Sequence, residues 1–168
     1  FDPTVLHSME AVLQVVEVRR GLEADVAELA ARRITPEKSR AILDALAELE
    51  ACPALGTAGV EADLRFHRSI ARATDNPHYE RLLGFLEQYQ RDAMRVTRTN
   101  ESLDNGYMAQ VQREHRAIAE AVTQGDPMAA REAAMRHMAN AAHRIEHASP
   151  PVRRALDALL QPPASPHE

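Results

Sequence analysis

One aspartate and three histidines are spaced in this chain as a divalent-metal shell requires. Asp63 and His67 are four residues apart, so on a helix they project from one face, one turn above the other; His115 and His137 follow 48 and 22 residues later, each among small or apolar neighbours. Three neutral imidazoles and a carboxylate suit zinc, and also nickel, manganese or iron. The site exists only if three separate helices converge. Otherwise Asp63 makes a structural hydrogen bond to a histidine, and each imidazole is an ordinary core residue.

A second group lies nearer the start. Met9, Val12, Val16, Arg19, Glu23, Val26 and Ala30 follow alternating three- and four-residue steps, so Arg19 and Glu23 interrupt an apolar helical seam. An inward guanidinium demands an anion. Glu23, one turn away, is one source; the carboxylate of a bound small molecule, gripped by the Arg19 fork, is the other. Arg20 points about 100° away and reads as solvated. Asn140, one turn beyond His137, is a candidate hydrogen-bond partner for a ligand. His143 and His147 share a helix face near a helix end and read as surface residues.

The elements that must position these groups are helices. Helical periodicity covers 5–33. Thr35-Pro36 supplies an N-cap and a first-turn proline for a second helix to about Ala51, and Cys52 to Gly59 reads as a loop. A third helix spans about 60–74, where Asp75-Asn76-Pro77 stops it and begins a fourth, to about Arg98. Asn100 to Gly106 is polar and turn-like, although Glu101 and Ser102 are suited to begin the next helix already. A fifth helix then runs to about Thr123, and Gly125-Asp126-Pro127 combines a stop, a cap and a first-turn proline before a sixth, to about His147. The fold class expected is all-α, an antiparallel bundle of six to seven helices. Residues 1–148 form the expected metal- and effector-binding domain, and 149–168 a short helix with a fraying tail.

In this register Val60, Leu64 and Ala71 flank Asp63 and His67. Met108, Val111, Ile118 and Val122 make a stripe with His115 at its middle. Ala130, Ala134 and Ala141 share a face with His137, leaving room for a neighbouring helix or a ligand.

Composition narrows the classes. The chain has 168 residues, of which 45% are hydrophobic and 4% aromatic, and it has no Trp, so one domain must form around an aliphatic core. The single Cys52 fits a reducing cytoplasm and excludes an internal disulfide framework. A net charge of −5, with both signs interspersed, builds no basic stripe for nucleic acid. No apolar run reaches membrane-spanning length. There is no G-x-S-x-G, no glycine-rich phosphate loop and no Cys-x-x-Cys. The Glu-x-x-His pairs of di-iron bundles are missing too, since Glu114 directly precedes His115.

Several runs together resemble a known family. These are Glu17 to Glu23 (EVRRGLE) with Leu29 to Arg32, Asp63 to His67 (DLRFH) with Ala71 to Pro77 (ARATDNP), and Glu114 to Ile118 (EHRAI) with Gly125-Asp126 and His137. Over about residues 9–147 the chain is similar to the ligand-binding C-terminal (FCD) domain of FadR-type GntR transcriptional regulators. The resemblance implies that Asp63, His67, His115 and His137 hold a divalent metal, most often zinc, in an all-helical bundle. It also implies that Arg19 helps to clamp a small carboxylate effector, and that the domain forms a homodimer. In that family DNA is contacted through an N-terminal winged helix–turn–helix, which is not expected among these residues. A metal-dependent enzyme using a metal-bound water is the competing class, and it requires a general base poised near the metal. A purely structural helical module is the third.

Overall fold

The computed structural model describes residues 9–52, 57–103 and 105–160. They form seven helices in chain order: α1 (Met9–Arg32), α2 (Pro36–Ala51), α3 (Thr57–Ala73), α4 (Pro77–Leu103), α5 (Asn105–Thr123), α6 (Pro127–Glu146) and α7 (Pro150–Leu160). Among the described residues there is no strand. The chain is thus an antiparallel helical bundle, as its periodicity predicts.

Local chemistry sets the ends. Thr35 Oγ1 accepts from the Lys38 amide at 3.3 Å and Asp126 Oδ1 from the Ala129 amide at 3.0 Å, each just before a first-turn proline. Asn76 Oδ1 accepts from the His78 amide at 3.1 Å at the head of α4. Gly125 sits at φ +70°, where a side chain would be strained, and turns the chain from α5 into α6.

Two boundaries differ from expectation. The third helix starts at Thr57, inside the segment read as a loop; residues 53–56 of that loop lie outside the described residues, as do 5–8 of the first helix and the tail from 161. The fourth helix runs on to Leu103, through residues read as a turn. That polar stretch contains no proline, and its one glycine, Gly106, already lies inside α5, which begins at Asn105.

The first helix is central, packing most extensively on α6 and also meeting α3, α4, α5 and α7. Ala27, Ala30 and Ala31 on α1 share one buried cluster with Ala130, Ala133 and Ala134 on α6, and such small side chains let two helix backbones approach closely. Phe66, Ile42, Leu83 and Ile118 fill the same cluster, and each such buried side chain stabilises by about 1.5–3 kcal/mol. A smaller cluster of Val12, Val16, Met138, Ile145 and Val152 joins α1, α6 and α7 at the other end. The polar site lies between the two.

Candidate functional site

Asp63 and His67 project from α3, His115 from α5 and His137 from α6, and all four are buried. The three imidazoles converge; Asp63 Oδ1 lies 3.2 Å from His115 Nε2 but does not belong to the set of donor atoms that are all close to one another. One nitrogen from each of His67, His115 and His137 lies within 4.8 Å of the others. Ring centroids are 5.5 Å apart for His67 and His115, 5.3 Å for His67 and His137, and 4.6 Å for His115 and His137. Phe66 wedges its ring edge-on against His67 and His115, at 5.4 and 5.1 Å, so the hydrophobic core itself fixes two of the three imidazoles.

Carboxylates hold the rings from behind. His67 Nδ1 donates to Glu23 Oε2 at 2.7 Å, and His137 Nδ1 to Glu114 Oε2 at 2.9 Å. With the proton fixed on Nδ1, a neutral ring carries its lone pair on Nε2, the tautomer that a ligating histidine uses. His115 differs. Its Nε2 lies 3.2 Å from Asp63 Oδ1 but at an angle that makes no hydrogen bond, so this nitrogen is buried without a hydrogen-bond partner.

The electrostatics follow from these contacts. Burial opposes ionisation of Asp63, but His115, His67 and Arg98 around it hold its carboxyl below the usual range. Burial likewise works against Glu23, and Arg19 and His67 overcome it, keeping this carboxylate ionised. For Glu114 burial is outweighed by hydrogen bonds from His137 and Arg144, which lower it to about 2. Burial pushes His67 down, yet the charge and hydrogen bond of Glu23 leave it raised. Burial lowers His115 well below the ordinary imidazole value, and the Asp63 charge, which acts the other way, does not restore it.

Three guanidiniums complete the shell. Arg19 Nε donates to Glu23 Oε1 at 2.8 Å, with a second, shorter bond from Nη2, so the local source of the anion is the one that the structure contains. Arg144 forks onto Glu114, with Nη1 to Oε1 at 3.1 Å and Nη2 to Oε2 at 3.2 Å. Arg98 Nη1 donates to Asp63 Oδ1 at 3.2 Å. All three border a cavity of about 70 Å³ whose wall also includes Asp63, His67 and His137, with Val12, Val16 and Val111 on the apolar side.

The remaining candidates separate cleanly. Asn140 donates to Glu114 Oε1 at 2.6 Å and is not in the cavity wall. Arg20 is exposed, and so are His143 and His147, whose rings stack 4.0 Å apart. Three residues central to the site were not singled out from the sequence: Glu114, Arg144 and Arg98. A signal for the first two exists, because His137, Asn140 and Arg144 recur at three- and four-residue steps along one face of α6, facing the residue before His115. For Arg98 the expected helix end hid it.

Neither acid behind the rings is free to act as a general base. Glu23 is committed to Arg19 and His67, and Glu114 to His137, Asn140 and Arg144.

Comparison with known proteins agrees with this reading of the fold. Residues 14–140 match the FCD domain model. The chain is 34% identical over 137 residues to the HTH-type transcriptional regulator LutR of Bacillus subtilis, covering 81% of this chain and 63% of that protein. It is 30% identical over 146 residues to the galactonate operon transcriptional repressor of Escherichia coli, covering 87% and 60%. The chain therefore spans about six-tenths of the length of these relatives. Among solved structures, Streptococcus agalactiae GntR superposes with a TM-score of 0.61 at 22% identity, over 79% of this chain and 58% of that one, and shares the fold. The matched relatives are regulators of transcription and not enzymes, and this chain belongs to the FCD domain family of GntR-type regulators.

Proposed function

We propose that this domain senses a small organic acid at a divalent metal held by Asp63, His67, His115 and His137, and that in a longer, dimeric regulator the bound acid alters DNA affinity through a separate DNA-binding unit. The observation that supports the metal best is His115 Nε2, a neutral nitrogen buried without a hydrogen-bond partner beside two other imidazoles and a carboxylate. A buried polar atom left unsatisfied costs about 1–3 kcal/mol, and a cation among these donors removes that cost. Zinc suits the donor set; nickel, manganese and iron fit the same atoms. When bound, the metal supplies a Lewis-acidic centre able to take a carboxylate oxygen.

Charge balance supports an anionic effector. Three buried carboxylates (Glu23, Asp63 and Glu114) offset three buried guanidiniums (Arg19, Arg98 and Arg144). A dication added to that balanced set leaves two positive charges in low-dielectric surroundings, which an anion neutralises. The galactonate operon repressor among the relatives is named for an acid of this general kind. Glu23 and Glu114 hold their imidazoles in one tautomer, and Arg19 presents a positive wall to the cavity. To act as a signal, the acid must bind one arrangement of the dimer better than another, since equal affinity shifts nothing.

Elemental analysis of purified, dialysed protein tests the metal, with about one ion per chain expected. His115→Ala and His137→Ala should lose it while keeping their helical circular dichroism. A thermal-shift screen of organic acids with and without chelator then tests the effector. An acid raising Tm only in the absence of chelator supports the reading. Metal-free wild-type protein, with both variants indistinguishable from it, would refute it.

A further inference from the structure

The three guanidiniums around the cavity are not equivalent. Arg19 places both Nε and Nη2 on Glu23, and Arg144 places both terminal nitrogens on Glu114. Each is closed onto a carboxylate of the protein. Arg98 has a single hydrogen bond, a 3.2 Å contact from Nη1 to Asp63, while its Nε is buried without a hydrogen-bond partner. Its side chain borders the same cavity, on the α4 wall one turn after Met94. A buried N–H donor beside a cavity is unsatisfied until a ligand oxygen reaches it.

Resting on the metal-and-acid reading above, we propose that Arg98 is the side chain that grips the effector carboxylate. Arg98 turns Nε and a terminal nitrogen onto the ligand, so its fork is completed by the acid as those of Arg19 and Arg144 are completed by Glu23 and Glu114. The apolar end of the acid lies against Val12, Val16 and Val111.

The test is calorimetry on zinc-saturated protein with L-lactate and its neutral amide lactamide, or with the strongest stabiliser from the thermal-shift screen and the amide of that acid. Wild type should bind the acid and ignore the amide. Arg98→Gln should keep its zinc and weaken binding of the acid by at least about tenfold, the loss of one charge-assisted contact. Arg98→Lys, which keeps the charge but not the fork, should recover part of that loss. Unchanged affinity for the acid in Arg98→Gln would overturn the proposal and leave the metal-and-acid reading standing. Loss of zinc together with the acid in that variant would also overturn it, making Arg98 a support for Asp63. A zinc-loaded wild type that binds no acid in the wider thermal-shift screen would refute the underlying reading instead.

Discussion

Glu114 on α5 and His137 on α6 meet with Oε2 and Nδ1 2.9 Å apart, in a contact sealed by the Arg144 fork and by Asn140. One carboxylate therefore orients a candidate ligand, neutralises a buried guanidinium and joins two helices. Its neighbour in sequence, His115, enters the cluster from the same turn of α5. The site is consequently not an attachment to a finished fold, because its outer partners are also contacts between helices.

Acid should expose that dependence. Glu114 is lowered in the folded chain from an ordinary 4.5 to about 2, so it contributes stability above about pH 4.5 that is lost as pH falls through its folded value. Denaturant titrations at neutral pH and at about pH 3 should show stability falling on acidification. In Glu114→Gln the neutral-pH stability should drop by about 2–3 kcal/mol and the acid dependence should flatten. An unaltered slope would exclude Glu114 as a contributor.

Metal uptake should release a proton. His67 is raised by Glu23, so the metal-free protein retains a proton there at a pH where an ordinary imidazole has lost it. A ligating imidazole must be neutral, so affinity falls as pH drops. Calorimetry at about pH 7 in buffers of different ionisation enthalpy should give a net release of protons on zinc binding. Proton-neutral binding would mean that no protonated imidazole gives way to the metal.

Breaking the α1 pair should be costly. Arg19 and Glu23 are each 4% exposed, and removal of one member of a buried pair typically costs about 3–5 kcal/mol. Arg19→Met should fall near the low end, because Glu23 keeps the His67 hydrogen bond. Chemical denaturation decides the point, and a loss under about 1 kcal/mol would show the pair to be an ordinary surface contact in energy.

Gly125 tests the turn between α5 and α6. A Cβ there would meet Ala31 O and Ile34 Cγ2 at 3.6 Å, which is ordinary contact, so the cost of Gly125→Ala comes from φ +70° and should be about 1–2 kcal/mol. Gly125→Asn should cost less, since asparagine tolerates this conformation. Equal melting temperatures for the two variants would contradict a purely backbone origin.

Much of this was legible because helix chemistry is local. Thr35-Pro36, Asn76-Pro77 and Gly125-Asp126-Pro127 mark helix ends through side chains that reach only two or three residues, so the sequence reveals them directly. The four candidate ligands were legible for a related reason, since each interrupts an apolar stripe. Arg98 was not, because its importance arises from α4 continuing past it and from Asp63 lying across the bundle on α3. Glu114 was read against the wrong template, as a failed Glu-x-x-His, when its partners stand on another helix. Contacts that span helices leave no periodic trace on either strand of the argument from spacing. Asn140 shows the same limit from the other side: its face was evident, but its partner was not.

Glu23 divides its two oxygens between Arg19 on its own helix and His67 on α3. A carboxylate with both oxygens engaged in dry surroundings leaves little play between those helices, since sliding either one sacrifices a charge-assisted bond. Reorientation of the His67 ring must therefore be taken up by a tilt of α1 as a rigid rod, which makes the Glu23 carboxylate the natural lever for any motion that begins at the imidazoles.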